Sequence, residues 1–156
     1  RALSYELRQD VPGLLLLSNT LRPIDMNRQA EFYEEKLRYE MDPADLWDAL
    51  EAGDTNLVVV DARQAFGFER EHIPGAINLP HREMTAQSTA HLDRIKTYVC
   101  YCDGIGCNAS TKGALKLLRL GFTVLELKGG IEWWKFDGYA TAGIERSEGL
   151  DVTCAC

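Results

Sequence analysis

Three short apolar runs, separated by helix-like segments, constrain the fold of this chain more than any other feature. They are Leu57-Val-Val-Val-Asp61, Tyr98 to Cys102, and Thr123 to Leu127. The first is continuously apolar up to Asp61, as expected of a strand buried on both faces. Between and around the runs, Gln64 to Glu71 reads as a short helix. Ile73-Pro-Gly-Ala-Ile-Asn-Leu-Pro80 reads as a turn followed by a short strand, and Gln87 to Leu92 as a weaker helical segment. Ala114, Leu117 and Leu118 mark a helix that stops at Gly121, a residue suited to the left-handed conformation that ends helices. Gly129-Gly130 leads into a short helix carrying Trp133 and Trp134. Strands that alternate with helices predict an α/β fold, a parallel sheet covered by helices on both faces. Ligands of such sheets bind beyond the carboxyl ends of the strands.

The part before residue 57 is organised differently. Residues 1–25 show no period and contain two prolines, so they read as an irregular arm. Met26, Ala30, Tyr33, Leu37 and Met41 recur at helical spacing among charged residues, which predicts an amphipathic helix. Asp42-Pro43 restarts the chain as N-cap and first helical residue, and Gly53 is the stop. Leu46, Trp47 and Leu50 give this second helix its apolar face. The expected organisation is an arm and helix over 1–41, one domain over 42–142, and a tail over 143–156.

The chain has 156 residues, enough for one domain with a substantial core. Its net charge of −7 argues against a nucleic acid or an acidic membrane surface as the main partner. The excess is uneven: residues 1–56 hold twelve acids and six bases, residues 57–156 twelve and eleven. The second part is therefore nearly neutral and better suited to a small anion. No apolar run approaches a membrane span, so no membrane partner is expected. The chain begins at Arg1, which implies that residues precede it in the native protein and leaves a cleaved targeting segment open. Its five cysteines, Cys100, Cys102, Cys107, Cys154 and Cys156, are odd in number and do not space like a disulfide framework. Reduced thiols and a cytoplasmic location are the expectation.

Tyr98-Val-Cys-Tyr-Cys-Asp-Gly-Ile-Gly-Cys-Asn-Ala-Ser110 carries the chemistry. A strand ends in a cysteine, a glycine-bearing loop follows, and a helix opens. Unpaired N–H groups and the helix dipole at such a place lower a thiol pKa. Cys102 is thus the expected nucleophile. Cys107 is either a second loop thiol able to resolve a disulfide or a spacer, and it is the alternative nucleophile. Cys100 reads as core. Gly104 and Gly106 suit positive φ or close approach of the backbone to an anion. Asn108 or Ser110 is expected to cap the following helix. Cys154 and Cys156 read as a tail, or as an accessory thiol pair; two cysteines do not complete a zinc site, and no metal or cofactor is expected.

Four ordered motifs then point to a family. Val60-Asp61-Ala-Arg63, Glu71-His-Ile-Pro-Gly-Ala-Ile-Asn-Leu-Pro80, the Tyr101-Cys102 loop, and Lys128-Gly-Gly-Ile-Glu-Trp133 with Asp137-Gly-Tyr139 resemble the landmarks of a rhodanese-like domain over about residues 42–140. That resemblance implies a parallel-sheet α/β fold. It also implies a cysteine, here Cys102, that takes a sulfane sulfur as a persulfide and passes it to a thiol or cyanide. The implied partners are a small sulfur donor, thiosulfate or a persulfide, and a thiol acceptor, protein thiols included. Asp103, Gly104, Ile105, Gly106, Cys107 and Asn108 would form the substrate-binding loop. Asp61 and Arg63 would tie strand ends and loops together, and His72 would orient or cap. Arg82 is a candidate substrate contact, and Lys112 is the nearest cation after the loop.

One departure matters. The family loop usually has an arginine about five residues after the cysteine, and Cys102-Asp-Gly-Ile-Gly-Cys107-Asn108 has none. The loop also reads as longer than usual. The missing cation disfavours a dianionic donor and counts against a phosphatase. Two other functions stand beside sulfur transfer: a non-catalytic binding module, and a thiol redox switch between Cys102 and Cys107.

Overall fold

A computed structural model describes residues 25–150. Most of the arm expected over 1–25, and both tail cysteines, lie outside the described residues. The chain separates into two units divided between Glu34 and Glu35. Helix α1 (Met26–Tyr39) crosses that division and buries none of its residues. It ends two residues before the expected boundary. Glu40–Met41 is instead a short strand, β1, because Met41 is the point where the backbone joins the sheet: its carbonyl accepts the Lys128 N–H at 2.8 Å.

The second unit follows the expected alternation. Its remaining elements are α2 (Pro43–Glu51), β2 (Leu57–Asp61), α3 (Ala65–Arg70), β3 (Ile77–Asn78), β4 (Thr97–Tyr101), α4 (Ala109–Arg119), β5 (Thr123–Leu127) and α5 (Gly130–Phe136). All five strands run parallel in the order β1-β5-β4-β2-β3. The order puts β4 in the centre, so its carboxyl end is flanked by strands on both sides. Helix α2 begins as the sequence indicates: the Asp42 carboxylate accepts the Asp45 N–H at 2.9 Å, and Pro43 occupies the first turn.

No helix forms over residues 87–92. Serine and threonine side chains there satisfy the backbone locally instead. Ser88 Oγ accepts the Thr85 N–H at 2.9 Å and donates to the Glu83 carbonyl at 2.7 Å, while Thr89 donates to the Thr85 carbonyl at 2.8 Å. Such bonds compete with a helical ladder.

Side-chain alternation divides the core in two. On one face Val59, Val99 and Tyr101 pack with Leu46 of α2 and Ile131 and Trp134 of α5. On the other Val60, Tyr98 and Cys100 pack with Leu117 of α4 and Phe122. The sheet is therefore covered on both faces. Among the described residues no helix is long and apolar enough to cross a membrane.

Candidate functional site

Cys102 lies one residue past the end of β4. It follows Cys100 by two, so the alternation that turns Cys100 toward α4 turns Cys102 the same way. Its side chain is 1% exposed. The sulfur sits 3.1 Å from Ser110 Oγ in the first turn of α4 and 3.2 Å from the Cys107 carbonyl oxygen. Ser110 Oγ in turn donates to Glu126 Oε1 of β5 at 2.7 Å, and Thr111 Oγ1 donates to the same oxygen at 2.7 Å. A chain of polar atoms thus runs from Cys102 through Ser110 to Glu126.

Burial pushes the Cys102 thiol up, the Ser110 hydroxyl and N–H pull it down, and Cys107 pushes it up again; the net direction is up. The lowered pKa expected from sequence is not found. The first reason is the burial of the sulfur, and the loop's orientation does not offset it. The Cys107 N–H turns inward to the Gly104 carbonyl at 3.0 Å, and the Cys107 carbonyl faces the sulfur. The helix cap also differs. Asn108 occupies the N-cap position without a side-chain cap bond, and the Ser110 hydroxyl is used by the sulfur and Glu126. Burial beside Glu126 raises the Cys100 thiol to about 12, consistent with a packing role.

Two devices hold the start of the loop. The first is Arg63. Its guanidinium binds both oxygens of the fully buried Asp61, the Glu71 carbonyl at 2.6 Å, and Asp103 Oδ1 at 3.1 Å. Burial acts to lower the Arg63 pKa, but the bonds and charge of Asp61 outweigh it and hold the guanidinium ionised. The second is the N-terminus of α5. The Ile131 and Glu132 N–H groups donate to the Cys102 and Asp103 carbonyls at 3.0 and 2.8 Å. This close approach requires Gly130: its φ is +60°, and a Cβ there would collide with the Cys102 carbonyl oxygen.

The rest of the loop opens onto a cleft of about 670 Å³. Ile105, Cys107 and Ser110 line it from the loop and α4, Glu126 and Lys128 from β5 and its end, and Trp133 from α5. Cys107 is half-buried, and Ile105 is 71% exposed.

Residues 42–137 match the rhodanese-like domain family. The chain belongs to that family. A Bacillus halodurans protein of known crystal structure is 35% identical, with a TM-score of 0.75 over 84% of this chain and 96% of that one. Thiosulfate sulfurtransferase GlpE of Pseudomonas savastanoi pv. phaseolicola is 34% identical over 50% of this chain and 72% of its own. An HTH-type transcriptional regulator of Mycobacterium tuberculosis is 34% identical over 70% of this chain. The chain spans only 45% of that regulator's length.

This rhodanese-like domain gathers some of the residues singled out from sequence and separates others. Cys102, Asp103 and the loop to Asn108 surround one point, with Asp61 and Arg63 bracing it. His72 is elsewhere: its ring stacks on Phe68, its Nδ1 meets the Phe68 carbonyl at 2.7 Å, and its backbone pairs with Ala142. Arg82 and Lys112 are exposed and do not line the cleft. Both lie near His81, whose pKa is lowered first by burial and then by Lys112, Lys116 and Arg82. Neither loop glycine needs positive φ. Gly104 is covered by the flexible Glu132 side chain, and open space surrounds Gly106. The sequence gives no sign of Glu126, because an acid inside an apolar strand carries no local signal of the helix turn it will meet, and for Ser110 it indicates only a cap.

Proposed function

We propose that this domain is a sulfurtransferase that carries a sulfane sulfur as a persulfide on Cys102, with residues 42–142 as the sulfur-handling domain. The observation that carries this reading is the placement of Cys102. It directly follows the central strand, its sulfur touches Ser110, and its loop opens onto a cleft large enough for a small molecule. The named activity of the GlpE relative supports the same reaction class.

The chemistry is a double displacement. Cys102 thiolate attacks the outer sulfur of a donor persulfide RS–SH. A new S–S bond forms, the donor S–S bond breaks, and RS⁻ leaves, taking up the proton that Cys102 released. An acceptor thiolate, or cyanide, then attacks the outer sulfur, and Cys102 departs as thiolate. With thiosulfate as donor the leaving group is sulfite. The loop holds no arginine, and Arg63 is committed to Asp61, Glu71 and Asp103, so a persulfide donor suits the site better than a dianion. A reducing compartment such as the cytoplasm would keep Cys102 available.

The test is intact mass with peptide mapping after incubation with thiosulfate and, separately, with a small persulfide. One added sulfur on Cys102 supports the reading, and Cys102→Ser abolishes it while Cys107→Ser retains the first loading step. Full loading of Cys102→Ser would overturn the assignment. One observation favours a second reading, the non-catalytic module: in this conformation the sulfur is sealed from the cleft by the Cys107 carbonyl and Ser110. That reading predicts no added sulfur from any donor. A Cys102–Cys107 redox switch would instead show loss of two hydrogens and two protected thiols.

A further inference from the structure

We propose that Glu126 selects amine-bearing thiols and persulfides, recognising an ammonium group two carbons from the reacting sulfur, and so sets the substrate class of the Cys102 site. The assignment rests on Cys102 being the reacting sulfur.

Glu126 lines the cleft and is joined to the Cys102 sulfur through one intervening atom, Ser110 Oγ. Both hydroxyls that Glu126 accepts, from Ser110 and Thr111, reach the same oxygen, Oε1. A substrate whose sulfur meets Cys102 on the Ser110 side has a group two carbons further on within reach of the carboxylate. A β-amino thiol has its ammonium at that position. The other ionisable groups of the cleft point the same way. Lys36 and Glu40 pair with each other at 2.7 Å. Among the described residues lining the cleft, Asp42, Glu126 and Asp137 then face one further ammonium, Lys128. Asp42 is occupied as the α2 cap, and Glu126 is the carboxylate linked to the sulfur.

A bound ammonium would also change the thiol. The Ser110 hydroxyl has one proton and two claimants, Glu126 and the Cys102 sulfur. While Glu126 shares that proton, Ser110 gives the sulfur only part of its donor capacity and stabilises the thiolate only in part. An ammonium on Glu126 competes for the carboxylate and frees the hydroxyl to donate to the sulfur, which favours thiolate as substrate arrives. A neutral or anionic donor would leave Ser110 held.

The test uses three methanethiosulfonates that differ only in the terminal group, cationic, neutral or anionic: 2-aminoethyl, 2-hydroxyethyl and 2-sulfonatoethyl. Each transfers its thioalkyl group to a thiolate; one S–S bond forms, the thiosulfonate S–S bond breaks, and methanesulfinate leaves. Rates are taken on the full chain, normalised to those of a free thiol, with fragment masses assigning Cys102 or Cys107. On Cys102 the aminoethyl reagent is expected to react about tenfold faster than the hydroxyethyl one, the gain of one charge-assisted hydrogen bond. The sulfonatoethyl reagent is expected to be slowest. In Glu126→Gln the aminoethyl-to-hydroxyethyl ratio falls to about one. Equal rates in the wild type, or a ratio that survives Glu126→Gln, overturns the proposal. The wild-type comparison does so even where the variant folds poorly. Incubation with the persulfides of cysteamine and of 2-mercaptoethanol is the second arm. A preserved amine preference in the first arm with no sulfur added to Cys102 in the second sinks the sulfur-transfer reading and leaves the charge assignment standing.

Discussion

The two faces of the sheet are built from the same kind of strands and serve different ends. The face under α2 and α5 is apolar and aromatic. Trp134 is fully buried there, Tyr139 stacks on Trp47 at 4.9 Å, and the one polar atom of the Trp134 ring is satisfied by the Ala140 carbonyl at 2.8 Å. The face under α4 is apolar only as far as Cys100. Beyond it, where the first turn of α4 meets the sheet, the contact becomes Cys102, Ser110, Thr111 and Glu126. Polar groups at a helix–sheet contact cost desolvation unless each is paired, and each of these is. The first face stores stability; the second gives up apolar contact at one end to hold a sulfur in a polar setting.

Truncation of the aromatic face should have the largest effect of the changes considered. Trp134→Ala removes a fully buried indole and leaves an indole-sized cavity in the core cluster, beside Trp47 and Tyr139. The expected loss is about 3–5 kcal/mol in urea unfolding. If the faces are as separate as their packing indicates, the pH dependence of Cys102 alkylation stays unchanged under conditions where the variant is folded. A shift in that profile would show that the aromatic face tunes the site.

Gly130→Ala acts where the two faces meet, because α5 belongs to the aromatic face and its N-terminus holds the Cys102 loop. The added Cβ collides with the Cys102 carbonyl oxygen, and the residue sits at φ +60°. A loss of about 1–3 kcal/mol is expected, together with faster alkylation of Cys102 as the loop detaches. Destabilisation with an unchanged alkylation rate would mean that the loop is held by Arg63 alone.

The parts of this molecule that were legible in its sequence are those fixed by local pattern. The unbroken run of Leu57 to Val60, the Asp42-Pro43 start and the Gly121 stop each have a local physical cause, and the strand and the two helices they indicate are present. The α/β class follows from their alternation. Residues 87–92 misled because apolar spacing there is outweighed by Ser88 and Thr89 bonding to nearby backbone. Strand β1 was hidden because two residues carry no period, and their pairing with β5 is a tertiary fact. The site divides along the same line. A cysteine before a glycine loop is visible as a string; the direction of the Cys107 carbonyl is not, nor is the burial of Cys102 that reverses the expected pKa shift. Glu126 joins the site through strand order, since β5 lies beside β4 only after the sheet has formed.

The smallest expected change in stability carries the most information about the polar end of the α4 face. Ser110→Ala removes one hydroxyl and little volume, so urea unfolding should shift by only about 1 kcal/mol. Its effect belongs to the thiol. Burial already raises the Cys102 pKa, and Ser110 is the group that opposes the rise through its hydroxyl and its N–H. The alanine keeps the N–H and loses the hydroxyl, so less opposes burial and the pKa moves further up. A thiol reacts as thiolate, so the alkylation midpoint of Cys102 moves to higher pH, and the rate at neutral pH falls. Iodoacetamide rates across the alkaline range, with the modified sulfur assigned by fragment mass, measure this directly. A midpoint that stays in place or moves down would mean that Ser110 serves Glu126 and the helix start, and that the sulfur does not depend on the polar chain drawn through it.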